Sequence, residues 1–161
     1  MATSLLDELA AAAMTLVTPA PTAHVLDVEA GLGALTLLVA RRVARVDALD
    51  GSHAIVLALR ARVSVAGLGN VVARVGDAAA LPFVEQHFDA AYFLSVLSGA
   101  SRPAVLAELR RVLKPGAPAV VAAASKRERD ELLEDIVVAG FDEVQAHAVA
   151  AANGWLVVGL A

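Results

Sequence analysis

The chain has 161 residues with a formal net charge of −4. That is the length of one ordinary domain, large enough to bury a full core without disulfide or metal staples. Hydrophobic residues make up 58% and charged residues 19%, which excludes intrinsic disorder. There is no cysteine, which removes disulfides, thiolate zinc sites and a cysteine nucleophile. The basic residues are scattered and the balance is acidic, so a nucleic-acid partner is not expected.

The first predicted element is a helix over about Ser4–Val17, with Leu5, Leu6, Leu9, Ala13 and Leu16 near helical spacing. Pro19 and Pro21 stop it. A short strand follows at His24–Val28, then a turn with Gly31 and Gly33 and a helix through about Arg42. The second strand, Arg45–Leu49, ends at Asp50. The next helix, about Ser52–Ala66, places Ile55, Ala58, Ala61 and Val65 on one face, and Gly67 closes it. Strand three is Val71–Val75. A loop carrying Gly76-Asp77-Ala78 and Leu81-Pro82-Phe83 leads to strand four, Phe88–Leu94. The loop Ser95–Arg102 is a candidate active-site rim.

A helix then starts near Pro103, with Val105, Leu106, Leu109, Val112 and Leu113 as its buried stripe. Lys114-Pro115-Gly116 ends it, and strand five is Ala119–Ala123. Ser125 and Glu128 have capping-box spacing at the head of a helix to about Ala139. Two last strands, Glu143–Val149 and Trp155–Leu160, flank Asn153-Gly154, a hairpin signal. Strands alternating with helices predict an α/β fold: a doubly wound, mostly parallel seven-stranded sheet, with one antiparallel strand near the C-terminus and helices on both faces. No repeat or linker divides the chain, which reads as one domain. Within it lie an N-terminal helix and linker (1–23), a core (24–124), and a C-terminal helix and hairpin (125–161).

In such sheets ligands bind beyond the carboxyl ends of the strands, at the switch point. The residues there are Asp27–Gly33, Asp50–Ser52, Asp77-Ala78 and Ser95–Ser98. A carboxylate suits a pair of ribose hydroxyls (Asp50) or an exocyclic amine (Asp77), and Gly31 and Gly33 allow close backbone approach. Asp27 and Asp50 equally suit capping of the elements that follow them.

Four stretches carry a family resemblance. Val25-Leu26-Asp27-Val28-Glu29-Ala30-Gly31-Leu32-Gly33 resembles the first motif of class I (Rossmann-like) S-adenosylmethionine-dependent methyltransferases, and Val46–Ser52 their second. Gly76–Phe83 is similar to their adenine-side motif, and Leu109–Gly116 to their junction before strand five. The motifs most resemble the small-molecule branch of ubiquinone- and menaquinone-type enzymes. The resemblance implies a cofactor, S-adenosyl-L-methionine, and a small-molecule acceptor. It implies that Asp27, Glu29, Gly31 and Gly33 lie against the methionine part, and that Asp50 takes the ribose. Gly51 and Ile55 would lie near the adenine, Asp77 and Ala78 would meet its edge, and Ser95 would sit beside the sulfonium. At Glu29 the family motif has Gly. An alternative is a methyltransferase fold kept as a binding or scaffold protein without catalysis.

Other chemistries find less support. The four His residues show no metal-ligand spacing, so no metal is expected. His53 and His87 are weak candidates for a base, and Tyr92 reads as core. No Gly-x-Ser-x-Gly elbow is present. A dinucleotide fingerprint would need a third small residue where Thr36 stands. Leu9–Leu26 and Val144–Ala161 are uncharged but too polar and broken for a membrane span. With no basic leader segment, the expectation is a cytoplasmic protein. The apolar terminal hairpin is a candidate homo-oligomer interface.

Overall fold

A computed structural model describes residues 4–95, 97 and 99–161. The strands are β1 His24–Val28, β2 Arg45–Asp50, β3 Val71–Val75, β4 Ala90–Phe93, β5 Pro118–Ala123, β6 Asp142–Val149 and β7 Gly154–Leu160. The helices are α1 Leu5–Leu16, α2 Ala34–Val39, α3 His53–Val65, α4 Arg102–Val112 and α5 Lys126–Val138. The sheet order is β3-β2-β1-β4-β5-β7-β6. The pairs from β3 through β5 are parallel, and β7 alone runs antiparallel, between β5 and β6. This is the predicted doubly wound sheet, with its switch point between β1 and β4.

Helices cover both faces of the central strands, so β4 and β5 are apolar throughout, whereas the edge strand β6 is half polar. On one face α1 and α2 pack through Leu9, Ala13, Met14, Leu35 and Val39 onto Val25, Tyr92, Val120 and Leu156. Beside them α3 covers Ala48 and Ala73. On the other face α4 and α5, with the 76–88 loop, cover Leu26, Val28, Leu49, Phe93, Val121 and Val157. Arg102, buried at the start of α4, ties α4 to α5 through Asp135 (2.9 Å).

Several expectations are corrected. In α3 the buried residues are Val56, Leu59 and Val63, while Val65 is 91% exposed. The helix is apolar nearly all round, so sequence spacing alone selects no face. The helix after Gly33 ends at Val39 and does not reach Arg42, because the Asn70 side chain donates to the Ala40 and Val43 carbonyls and turns the chain there. β4 begins at Ala90, since Phe88 pairs with Leu113 and the Asp89 carboxylate accepts the His24 N–H. Ser125 caps α5, but Glu128 reaches back to the Ala124 N–H and not to that of Ser125. A full capping box forms at Ser4 and Asp7, where none was expected. Asn153-Gly154 is not a two-residue hairpin turn. A 3-10 turn, Ala150–Ala152, makes the connection, Asn153 takes the left-handed conformation that follows it, and Gly154 opens β7.

Candidate functional site

β1 and β4 part at the switch point, and a crevice opens beyond their carboxyl ends. It holds about 200 Å³ and is lined by Asp27, Glu29–Gly31, Ala34 and Leu35 from β1 and the start of α2, by Asp50 and Ile55, by Leu94 and Ser95, and by Leu6. A dense turn forms its floor. Glu29, Gly31 and Gly33 all have positive φ (56°, 55° and 86°). The two glycines reach this region without cost, whereas Glu29 is a bulky residue held there. The Ala30 N–H donates to the Leu49 carbonyl (3.0 Å), and the Gly31 N–H to Asp50 Oδ2 (3.0 Å). A Cβ at Gly33 would stand 2.5 Å from Leu59 Cδ1, so turn and α3 are packed without slack.

Three carboxyl groups line this crevice. Asp27 is 2% exposed, and its Oδ2 accepts the Thr36 hydroxyl at 2.5 Å. Burial pushes its carboxyl up to about 7; the Thr36 hydrogen bonds oppose that and the Asp50 charge adds to it. Asp50 accepts from both the Gly31 and Ser52 N–H groups, one on each oxygen, and each oxygen keeps a second lone pair. Glu29 is half-buried, and burial, Asp50 and Asp77 together hold its carboxyl above the usual range. No Lys, Arg or His is among the described lining residues.

Six of the ten sequence-chosen residues meet here: Asp27, Glu29, Gly31, Asp50, Ile55 and Ser95. Gly33 is buried beneath the turn as the N-cap of α2, and Gly51 lies past the end of β2; neither lines the crevice. Asp77 and Ala78 do not line it either. Asp77 is exposed and accepts the Ala79 N–H at 2.8 Å, while Ala78 is buried in the α4 face of the core. The rim loop includes Val96 and Ser98, which lie outside the described residues.

His53 is exposed on the first turn of α3 and lines no part of the crevice. His87 packs against His24, at the opposite end of β1. Neither is placed to act as a base there. Tyr92 is core, as expected, and its hydroxyl donates to the Val17 carbonyl (2.8 Å). Among the described residues no group of His, Cys, Asp or Glu has metal-binding geometry.

Sequence reading missed Thr36 and Leu6. Thr36 follows Gly33 by one helical turn and so faces back towards Asp27, a signal available from spacing. Leu6 was assigned only to a packing helix.

A second, apolar chamber of about 350 Å³ adjoins the crevice and shares Leu6, Leu94 and Ser95 with it. Its other walls are Leu5 and Leu9 on α1, Ala122–Ala124 after β5, and Ala152–Gly154 before β7. Among the described residues its lining contains no titratable side chain, and Ser95 and Asn153 bring the polar side chains.

Sheet order, switch-point crevice and adjoining chamber define a doubly wound α/β protein with two adjoining cavities at its switch point. Residues 25–116 match the methyltransferase domain family, and the chain belongs to it, as a class I S-adenosylmethionine-dependent methyltransferase by fold and sequence. Among curated relatives, the demethylmenaquinone methyltransferase of Symbiobacterium thermophilum is 37% identical over 111 residues, 66% of this chain and 44% of that protein. Among solved structures, the [4+2]-cyclase SpnF superposes with a TM-score of 0.83 at 25% identity, covering 91% of this chain and 62% of SpnF. Phosphoethanolamine N-methyltransferase 1 of Haemonchus contortus, solved with S-adenosylhomocysteine, shares the fold (TM-score 0.82, 16% identity, 97% and 42% covered). The chain thus spans less than two thirds of the length of each of these relatives.

The family's cofactor is S-adenosylmethionine, and the crevice suits it. Its carboxyl groups, with no Lys, Arg or His beside them among the described lining residues, match the positive charge of that compound. Asp50 keeps two free acceptor positions side by side, which a ribose diol requires. At Gly31 the position a Cβ would occupy is open, with nothing within 4 Å.

Proposed function

We propose that the protein transfers a methyl group from S-adenosylmethionine to a small, uncharged, largely apolar acceptor. The observation that carries this reading is the junction at Leu6, Leu94 and Ser95, where an acid-lined crevice opens directly into an apolar chamber. In the crevice Asp50 holds the ribose hydroxyls, Asp27 and Glu29 face the positive charges, and the Gly31–Gly33 turn lets the backbone close on the ligand. Ile55 offers an apolar wall to the adenine, and Asp77 and Gly51, both exposed, lie outside the crevice on that side, while Ala78 stays in the core.

When bound, the cofactor supplies an already activated methyl on a sulfonium. The protein's part is to align and to exclude water. Leu5, Leu6 and Leu9 give the chamber an apolar wall, and Ser95 and Asn153 can each hydrogen-bond one polar group of the acceptor. Among the described residues no acid–base side chain lines the chamber, so the acceptor is one whose nucleophile ionises readily by itself. A phosphorylated or carboxylated acceptor would meet no cation there. The relative named for demethylmenaquinone supports an apolar acceptor.

Equilibrium dialysis with labelled S-adenosylmethionine tests the first half of this reading. Wild-type protein is expected to bind it, and Asp50→Ala to bind it at least about tenfold more weakly, the range for lost hydrogen bonds to a charged group. Equal binding by both proteins would refute the assignment of Asp50.

A further inference from the structure

We infer that the Glu29 carboxylate distinguishes the sulfonium form of the cofactor from its thioether product, binding the first in preference to the second. This rests on the reading of the crevice as the cofactor site, and it adds a role to one side chain.

Position comes first. β1 and β4 are paired in parallel with Val28 level with Phe93, so the next residues along, Glu29 and Leu94, leave the sheet side by side. Leu94 and Ser95 line both crevice and chamber. Glu29 therefore lines the crevice next to the junction residue Leu94, on the crevice side of the place across which a methyl group has to pass. Its backbone is held in the left-handed region (φ 56°), between the end of β1 and the Ala30–Leu49 hydrogen bond, which fixes where the side chain leaves the chain.

The second observation is electrostatic. The Glu29 side chain has no hydrogen bond or ion pair among the described residues, unlike Asp27 with Thr36 and Asp50 with two backbone N–H groups. The charges that act on it are Asp50 and Asp77, both of its own sign, and among the described residues no Lys, Arg or His lines the crevice. A half-buried carboxylate under the field of Asp50 beside it and of the more distant Asp77 is unfavourable by itself and becomes favourable when a cation arrives.

The chemistry of transfer then decides which cation matters. The ammonium of the cofactor is present before and after reaction. The sulfonium charge is not: the bond to the methyl breaks, its electron pair stays on sulfur, and a neutral thioether remains. The acceptor's own electron pair makes the new bond. Glu29 thus loses its partner at the moment the methyl leaves, and like-charge repulsion returns to the crevice. That favours release of product over retention.

Calorimetric titration of wild-type and Glu29→Gln protein with S-adenosylmethionine and, separately, S-adenosylhomocysteine tests this, run at pH 8 to favour the ionised carboxyl. Gln keeps the length and the hydrogen-bonding capacity and removes the charge. The expected result is an affinity for S-adenosylmethionine about five- to tenfold lower in the variant, with that for S-adenosylhomocysteine within about twofold. A parallel fall in both would put Glu29 at the ammonium and overturn the inference. So would no change in either, or a gain in both, which would make Glu29 an obstruction. If wild-type protein binds neither compound, the cofactor reading itself falls. Thermal melting of both proteins without ligand gives a second check: relief of the repulsion predicts a melting temperature for Glu29→Gln equal to or above that of wild type, and a clear drop would mean Glu29 has a stabilising partner.

Discussion

The most informative perturbation is Asp27→Asn. The Asp27 carboxyl is 2% exposed and titrates at about 7 in the folded protein, against an ordinary value of 3.8. A group whose folded-state pKa is raised stabilises the fold below the unfolded-state value and loses that contribution as pH climbs through the folded-state value. At about 1.4 kcal/mol per pH unit, ionising Asp27 costs the native state roughly 4 kcal/mol between about pH 4 and pH 7, an order-of-magnitude figure. That is a large part of the 5–15 kcal/mol typical of a domain. Asn keeps an oxygen that can accept the Thr36 hydroxyl and carries no charge. The variant should therefore match wild type near pH 4 and exceed it increasingly up to about pH 7 to 8. Urea denaturation of both proteins at pH steps from 4 to 9, in the absence of ligand, measures the difference directly. Parallel stability profiles would refute the argument, because they would mean that Asp27 is ionised at no cost and its burial is compensated by groups other than Thr36.

Two further outcomes follow from the same geometry. Tyr92→Phe removes the buried hydroxyl that holds the Val17 carbonyl at the end of α1; it should cost about 1 kcal/mol and raise hydrogen exchange selectively in α1, read by mass spectrometry. Gly33→Ala adds a Cβ at φ 86°, 2.5 Å from a methyl of the fully buried Leu59, and should lower stability by about 2 kcal/mol or more in chemical denaturation.

The elements were legible where two signals agreed. Strands such as Val25–Val28 and Val120–Ala123 are short apolar runs between turn residues, and the alternation of these with helices set the sheet and its single reversed strand. Spacing failed where apolar residues were too many: α3 presents Leu57 and Val65 to solvent as readily as Val56 and Leu59 to the core. Asn153-Gly154 misled because its left-handed residue ends a 3-10 turn and does not build a two-residue hairpin turn.

Within the site, residues at strand ends could be named because the fold class fixes where strands end. Asp27, Asp50 and Ser95 are of this kind. What could not be read is which side chains turn inward from loops and distant elements. Asp77 folds onto its own backbone, His87 sits at the far end of β1, and α1 delivers Leu6 across the sheet to the switch point. Such placements depend on three-dimensional packing, to which local sequence is blind.

The central claim is that the carboxylates at the β1–β4 switch point receive S-adenosylmethionine. A crystal structure of the protein grown with that compound tests it most directly. The predicted result is ligand density in the crevice, with both ribose hydroxyls on Asp50 and the methyl directed past Ser95 into the chamber walled by Leu5, Leu6 and Leu9. A crevice closed by the Glu29 side chain, with no ligand bound at saturating concentration, would contradict it.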